Sequence, residues 1–245
     1  MKDQMIFKRY EMKYMLNRRQ FEELKEEMEQ YMIADEHGKS TICSLYFDTP
    51  TFLLIRRSLE KPVYKEKLRL RSYGVADADT IVFVELKKKY DSVVYKRRVG
   101  MAEWDAERYL LQHEQVMDTQ ITREIGYCMT NYEKLAPSIL LSYEREAYFG
   151  KGDHDFRVTF DQNILWRDYD LSLCKGIYGR PLLSEDQVLM EVKTAGGIPM
   201  WMVKFMSERN IYKTSFSKYG MAYIKKITKT MKTIKTFDGG IQKYA

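Results

Sequence analysis

The chain has 245 residues, of which 44% are hydrophobic and 31% charged, with a formal net charge of +6. These values exclude a disordered or collagen-like chain, and no stretch approaches the roughly 18 uninterrupted apolar residues of a membrane span. Because charged residues also stand where a signal peptide would be apolar, we expect one cytoplasmic domain over residues 1–245, with a core at about 7–226 and a surface tail at 227–245.

Alternating polar and apolar residues predict strands at the start of the chain. Residues 7–16 place charges on one face and mostly aromatic or apolar residues on the other. Asn17 suits the N-cap of a following amphipathic helix, and a second strand is expected at about 43–47. Thr49 and Pro50 are typical of the start of a short helix that runs to about Glu60.

The run KLRLR shows the clearest separation of charge in the chain. In a strand its three cations share one face and its two leucines share the other. Further strands are predicted at 80–89 and 93–99, and helical spacing over 103–133 predicts two helices broken near 113–117. The cations of the run are Lys67, Arg69 and Arg71.

The second half of the chain returns to strands and ends in helices. Strands are predicted at 138–149, 155–162 and 188–194. Helices are expected near 199–209 and from Ser217 onward, with Ser217 as the N-cap. The whole pattern predicts an α+β protein with an antiparallel sheet.

If these strands close into a barrel, their charged faces could point outward or line the interior. The apolar stripes of the helices need an apolar surface to cover, which favours outward-facing apolar strands and a basic lumen. The lumen would then hold eleven cations and four anions. The cations are Lys13, Lys67, Arg69, Arg71, Lys87, Lys96, Arg98, Arg145, Arg157, Lys193 and Lys218, and the anions are Glu11, Glu85, Asp161 and Glu191.

A lumen of this composition predicts a phosphate ligand. Each like-charged pair at about 6 Å would repel by roughly 3 kcal/mol, and phosphate oxygens relieve that repulsion. The few carboxylates would hold Mg²⁺ or Mn²⁺. Each contact also has an ordinary structural interpretation: Glu191 and Lys193 as an ion pair, Arg157 and Asp161 as another, and Ser217 as a helix cap.

Cysteine and histidine give no support for another kind of site. The three cysteines have no metal-binding spacing, and the three histidines stand in polar stretches outside the patterned strands. Aromatic residues mostly lie opposite the cations, which is unfavourable for stacking on nucleic-acid bases. We therefore expect no specific nucleic-acid partner.

Several motifs, in order and spacing, resemble one family. The chain is similar over about Phe7–Lys226 to the catalytic domain of the VTC (vacuolar transporter chaperone) polyphosphate polymerases, within the triphosphate tunnel metalloenzyme superfamily. The motifs are EMKY at 11–14, YFDTP at 46–50, KLRLRSY at 67–73, VELKKK at 84–89, YKRRV at 95–99, SYER at 142–145, FRVTFD at 156–161, MEVK at 190–193 and SFSKY at 215–219.

The resemblance implies an eight-stranded antiparallel tunnel, flanked by amphipathic helices, that binds ATP through its phosphates. Its implied reaction transfers the γ-phosphoryl group to inorganic phosphate or a growing polyphosphate chain and releases ADP. Lys13 and Lys218 would act at the reacting phosphate, and Glu191 would ligate Mn²⁺ or Mg²⁺. The implied phosphate-binding residues are Arg69, Arg71, Lys87, Lys96, Arg98, Tyr143, Arg145, Arg157, Lys193 and Ser217.

One departure from the superfamily pattern bears on the reaction. Hydrolytic and cyclase relatives carry an ExExK motif on the first strand, whereas the matching positions here are Arg9, Glu11 and Lys13. The loss of one carboxylate weakens the case for a second metal that activates water, and so favours transfer to phosphate. Two alternatives stay open: a metal-dependent inorganic triphosphatase of the same fold, and a non-enzymatic basic barrel that binds polyphosphate or RNA.

Overall fold

The computed structural model describes residues 10–91, 93–132 and 134–241, with the side chains of 37 and 230–241 excepted. Arg9, the rest of the first predicted strand before Tyr10, and residues 242–245 of the predicted tail lie outside these described residues. The strands are β1 (Tyr10–Asn17), β2 (Met32–Asp48), β3 (Tyr64–Tyr73), β4 (Ile81–Tyr90), β5 (Val93–Ala102), β6 (Ala136–Gly150), β7 (Arg157–Arg167), β8 (Arg180–Pro181), β9 (Gln187–Thr194) and β10 (Lys213–Thr214). The helices are α1 (Arg18–Met28), α2 (Leu53–Leu59), α3 (Glu103–Leu111), α4 (Gln120–Asn131), α5 (Met200–Glu208) and α6 (Lys218–Ile241).

These elements confirm the α+β class and correct the predicted strand count. The sheet has ten strands in the order β10-β1-β9-β7-β6-β2-β3-β4-β5, and β8 pairs with β7. Eight of the ten are long, while β8 and β10 have two residues each, too few for alternation to reveal them in the sequence. Among the described residues no pairing joins β5 to β10, so the predicted closed barrel is not confirmed.

The chain divides into two compact units, and the first contains Met1–Cys43, Ser142–Leu165 and Leu183–Phe216. Apolar faces of β1, β7 and β9 form its core with α1 and α5, as the predicted pairing of apolar strands with amphipathic helices requires. Phe21 of α1 packs edge-on against Phe160 of β7 with ring centroids 5.0 Å apart. Asn17 caps α1 through a capping box with Gln20, as predicted.

The second unit contains Ser44–Leu141, Trp166–Leu182 and Ser217–Ala245. Its antiparallel strands β3, β4 and β5 bury one apolar face, including Leu68, Leu70 and Leu86. Helix α2 begins at Leu53, later than predicted, because the Asp48 carboxylate and the Thr49 hydroxyl accept the amides at its start.

Helix α6 runs from Lys218 to Ile241, so the predicted tail at 227–245 begins inside a helix. The Ser217 hydroxyl accepts the Gly220 amide at 3.2 Å, which is the predicted N-cap contact. None of the helices that the structure describes combines the length and apolarity needed to cross a membrane.

Candidate functional site

Strands β3, β4 and β5 carry a ladder of cations on one face. The antiparallel register puts Lys67, Lys87 and Lys96 side by side. Two residues further along each strand, a second row aligns Arg69, Glu85 and Arg98 in the same way. Because residues two apart in a strand share a face, both rows point to the same side of the sheet. A single acidic side chain therefore lies among many basic ones.

We call Glu85 and the four cations that contact it the Glu85 cluster. The Arg69 Nε donates to Glu85 Oε2 at 2.7 Å, and the Lys96 Nζ lies 2.7 Å from Oε1. The other two cations, Arg71 and Arg98, place their Nε atoms 3.8 and 3.5 Å from this carboxylate. One buried carboxylate thus faces four cations, and the cluster keeps a positive excess.

The charges of this cluster set the pKa of Glu85. Burial alone would raise the pKa, because Glu85 is only 1% exposed. Arg69, Arg71 and Lys96 outweigh that effect and lower the pKa to about 2. Glu85 is therefore ionised at neutral pH and holds its neighbours in place as a permanent anion.

Tyr46 of β2 lies beside the same cations. Its hydroxyl accepts from Arg69 Nη1 at 3.0 Å. Burial would raise the pKa of this tyrosine, yet the charges of Arg69, Lys67 and Arg71 lower it to about 8. A buried phenol that ionises this readily indicates a surrounding that favours anions.

Aromatic and hydroxyl groups fix two arginines of the cluster. The guanidinium of Arg98 lies 3.6 Å from the centroid of the Phe83 ring and donates to the Tyr73 hydroxyl at 3.1 Å. The Nε of Arg71, a residue that is 7% exposed, donates to Ser44 Oγ at 3.3 Å. These contacts hold the two guanidinium groups in defined orientations, which suits recognition of phosphate oxygens.

The first turn of α6 brings further polar groups into the second unit. The Ser217 hydroxyl accepts from the Lys67 Nζ at 3.2 Å, so it contacts the cation ladder as well as capping the helix. Lys218 follows as the first residue of α6 and is half-buried. Both residues thus stand where the positive end of the helix dipole favours an anion.

The first unit holds a second group of charges, which we call the Glu191 cluster: Glu11, Lys13, Glu191 and Lys193. The register of β1 and β9 pairs Lys13 with Glu191 and Glu11 with Lys193. The Lys193 Nζ lies 2.7 Å from Glu191 Oε1, and the Lys13 Nζ lies 3.8 Å from Oε2. Lys13 is also 3.5 Å from Glu11 and donates to the Phe216 carbonyl at 3.0 Å. Two cations here meet two carboxylates.

Burial would raise the pKa of Glu191, but Lys193, Lys13 and Arg145 hold it well below its ordinary value. Arg145 itself forms two hydrogen bonds with Asp161, at 2.6 and 2.7 Å. Its guanidinium lies 5.3 Å from the centroid of the Tyr143 ring. Arg157 donates to Asp35 at 2.9 Å. Each of these arginines in the first unit has a carboxylate partner.

The residues around Glu191 fit a divalent cation such as Mg²⁺ or Mn²⁺ only if a bound phosphate supplies further oxygen ligands. Among the described residues no group of three or more His, Cys, Asp and Glu side chains could hold a metal. Glu191 and Glu11 supply oxygen ligands of the kind that Mg²⁺ and Mn²⁺ prefer. Thr159 of β7 is paired with Glu191 of β9. Its buried hydroxyl lacks a hydrogen-bond partner in the part of the chain described. Phosphate oxygens and water would complete the coordination.

The structure brings most of the predicted site residues into these groups. Glu85 is contacted by four of them, Arg69, Arg71, Lys96 and Arg98, and Lys87 lies in the adjacent row. Glu191 is contacted by Lys13 and Lys193. Ser217 contacts Lys67. The sequence pattern groups Glu85 with the carboxylates expected to hold a divalent cation, whereas the structure places it among four cations. Its position at the centre follows from strand register, which alternation does not reveal.

Comparison with known families decides the classification. The family model of the VTC domain matches residues 8–226. The chain belongs to the VTC domain family. This confirms the resemblance to the VTC domain that the sequence motifs carried. Comparison with curated proteins finds no match.

Solved structures similar to this VTC domain share its fold at low sequence identity. A Bacillus halodurans protein provisionally described as an adenylate cyclase is 14% identical, with a TM-score of 0.53, and the match covers 84% of this chain and 92% of that one. A Hippeastrum protein, provisionally described as an adenylyl cyclase and credited with a dominant triphosphatase activity, is 15% identical, with a TM-score of 0.52. That match covers 87% of this chain and 94% of the Hippeastrum chain.

Proposed function

We propose that this VTC domain is an ATP-dependent polyphosphate polymerase. It transfers the γ-phosphoryl group of ATP to inorganic phosphate or to a growing polyphosphate chain and releases ADP. The observation that carries the proposal is the Glu85 cluster, in which four cations surround one buried carboxylate. An excess of oriented Arg and Lys is what a chain of phosphates requires.

The chemistry asks for alignment and charge neutralisation. Phosphate oxygens are already anionic nucleophiles, so their attack on the γ-phosphorus needs no strong base. Arg71 and Arg98, held by Ser44 and by Phe83, keep donors fixed for the phosphate oxygens. Lys218 and the first turn of α6 supply positive charge to the reacting phosphate. The tunnel predicted from the sequence remains part of this proposal.

The Glu191 cluster would hold the metal. Glu191, with Glu11 beside it, would bind Mn²⁺ or Mg²⁺, and Lys13, which lies near both carboxylates, would neutralise an incoming phosphate. When bound, the divalent cation supplies charge neutralisation on the phosphate oxygens. Mn²⁺ affinity measured in the presence of tripolyphosphate should fall in Glu191→Gln, while Glu124→Gln on α4 serves as the unaffected control.

A metal-dependent triphosphatase is the second candidate. Its support is the pair of carboxylates beside Lys13, because Glu11 belongs to the motif of the hydrolytic relatives. The Hippeastrum protein of similar fold is credited with a dominant triphosphatase activity.

One experiment separates the candidates. Purified protein is incubated with ATP and Mn²⁺, its products are run on a gel that resolves polyphosphate from orthophosphate, and ADP is quantified. Long chains formed together with ADP support the polymerase. Orthophosphate without chains, together with cleavage of added tripolyphosphate, would assign the protein to the hydrolases. Absence of turnover would reject both enzymes and leave a phosphate-binding protein.

A further inference from the structure

Asp48, at the end of β2, is a buried carboxylate with four hydrogen-bond donors around it. It is 2% exposed. Its Oδ1 accepts from the Thr49 amide at 2.8 Å and the Leu54 amide at 2.9 Å. Its Oδ2 accepts from the Ile55 amide at 3.0 Å and from the Tyr219 hydroxyl at 2.8 Å. Asp48 thereby ties the start of α2 to a residue in the first turn of α6.

Tyr219 is the residue directly after Lys218, and it is held at both its hydroxyl and its ring. The hydroxyl lies 3.1 Å from Ser138 Oγ as well as contacting Asp48. A phenol has one proton, and that of Tyr219 is donated in the hydrogen bond to Asp48. The serine hydroxyl is therefore the donor in the second bond. The ring stacks on Tyr46 with centroids 4.4 Å apart.

Burial and the charge of Asp48 raise the pKa of Tyr219 far above its ordinary value, so the hydroxyl stays protonated and donates. Its stacking partner Tyr46 accepts from Arg69, which in turn donates to Glu85. A continuous run of contacts therefore connects Asp48 to the Glu85 cluster. The same tyrosine is covalently next to Lys218 and two residues from Ser217.

We propose that Tyr219, anchored by Asp48, is a positioning residue that fixes the first turn of α6 so that Ser217 and Lys218 meet the phosphate groups. The inference rests on the proposed phosphate-binding role of that turn. Tyr219 touches no phosphate itself; it acts through the two residues before it. The buried hydrogen bond from Tyr219 to Asp48 restrains the first turn of α6. The donors of that turn therefore keep the positions and directions that alignment of a phosphate requires.

The test uses Tyr219→Phe, which keeps the ring and removes only the hydroxyl. Titration calorimetry with tripolyphosphate should show affinity weakened about tenfold, because the donors of the turn lose their fixed orientation. The matched control is Tyr109→Phe in α3. Its hydroxyl is also buried and donates to the Thr122 carbonyl at 2.6 Å, so it loses a comparable bond away from α6. Its affinity for tripolyphosphate should stay at the wild-type value.

A double variant separates positioning from general destabilisation. If Tyr219 acts by orienting Ser217, then Tyr219→Phe combined with Ser217→Ala should bind about as weakly as Tyr219→Phe alone. Fully multiplicative losses, or an unchanged affinity in Tyr219→Phe, would overturn the inference. Ser138→Ala gives a milder second variant, which should weaken binding about two- to threefold because one of the two hydroxyl bonds remains.

The readout distinguishes this inference from the proposed reaction. Wild-type protein that binds tripolyphosphate but makes no polyphosphate would contradict the polymerase and leave the positioning test valid. Wild-type protein that binds no tripolyphosphate would overturn the positioning role too, because the turn would then have no phosphate to meet.

Discussion

The Glu85 cluster and the Glu191 cluster are built from similar residues and differ in charge balance. At Glu85 four cations surround one carboxylate, whereas at Glu191 two lysines meet two glutamates. Nearby Arg145 and Arg157 likewise bond to Asp161 and Asp35. An excess of positive charge attracts an anion more strongly than cations that protein carboxylates already neutralise. We therefore propose that phosphate binds chiefly at the Glu85 cluster and that the carboxylates at Glu191 would hold a metal.

The largest expected effect is on turnover at the first turn of α6. Lys218→Ala should lower the rate of polyphosphate synthesis by about 10²–10³, the range for loss of one preorganised charge at a reacting group. Lys225→Ala, further along the same helix and bonded to the Pro181 carbonyl, should leave the rate unchanged. Initial rates of ADP release measure both. An undiminished rate in Lys218→Ala would remove this lysine from the reaction.

The next effect concerns stability and its dependence on pH. The pKa of Glu85 is lowered to about 2 from 4.5, so its stabilising contribution is complete above about pH 4.5 and is lost as the pH falls through about 2. This corresponds to about 3 kcal/mol in the free energy of unfolding. Glu85→Gln should be destabilised by about that amount at neutral pH, and its difference from wild type should shrink as the pH falls below 4.5.

Denaturant unfolding at several pH values measures this difference. The control is Glu124→Gln, whose partner Arg97 is half-exposed, so its free energy of unfolding should change by less than about 1 kcal/mol. A constant difference between Glu85→Gln and wild type from neutral pH to pH 2 would mean that Glu85 does not ionise as the cluster requires.

Adjacent arginines on β5 test the predicted face. Arg98 belongs to the Glu85 cluster, whereas Arg97 lies on the opposite face and bonds to Glu124. Arg98→Gln should weaken tripolyphosphate binding about ten- to thirtyfold, as expected for loss of a charge-assisted contact. Arg97→Gln should change the affinity less than about twofold. Equal affinities for the two variants would show that the phosphate does not contact this face.

The smallest expected effect is spectroscopic. Tyr46 should ionise with a pKa of about 8, visible as tyrosinate absorbance that Tyr46→Phe removes. Bound tripolyphosphate neutralises the surrounding cations, so it should move this pKa back toward the ordinary value near 10. A pKa of about 8 that is indifferent to tripolyphosphate would place the anion away from the Glu85 cluster.

The sequence predicts much of this organisation from local rules. Alternation assigns Arg69 and Arg98 to one face of the sheet, and the N-cap preferences of Asn17 and Ser217 mark two helix starts. The sequence does not predict which charged side chains contact one another. The contact of Glu85 with Arg98 depends on strand register, and the Tyr219 to Asp48 bond joins residues 171 positions apart. The two-residue strands β8 and β10 carry no pattern at all.

The most direct test of the division between the clusters is a crystal structure with bound tripolyphosphate. We expect its phosphate oxygens within hydrogen-bonding distance of Arg71 and Arg98, with the Lys96 ammonium alongside. Phosphate held at Lys13 and Lys193, with no phosphate at the Glu85 cluster, would contradict the claim that the excess of cations around Glu85 marks the anion site.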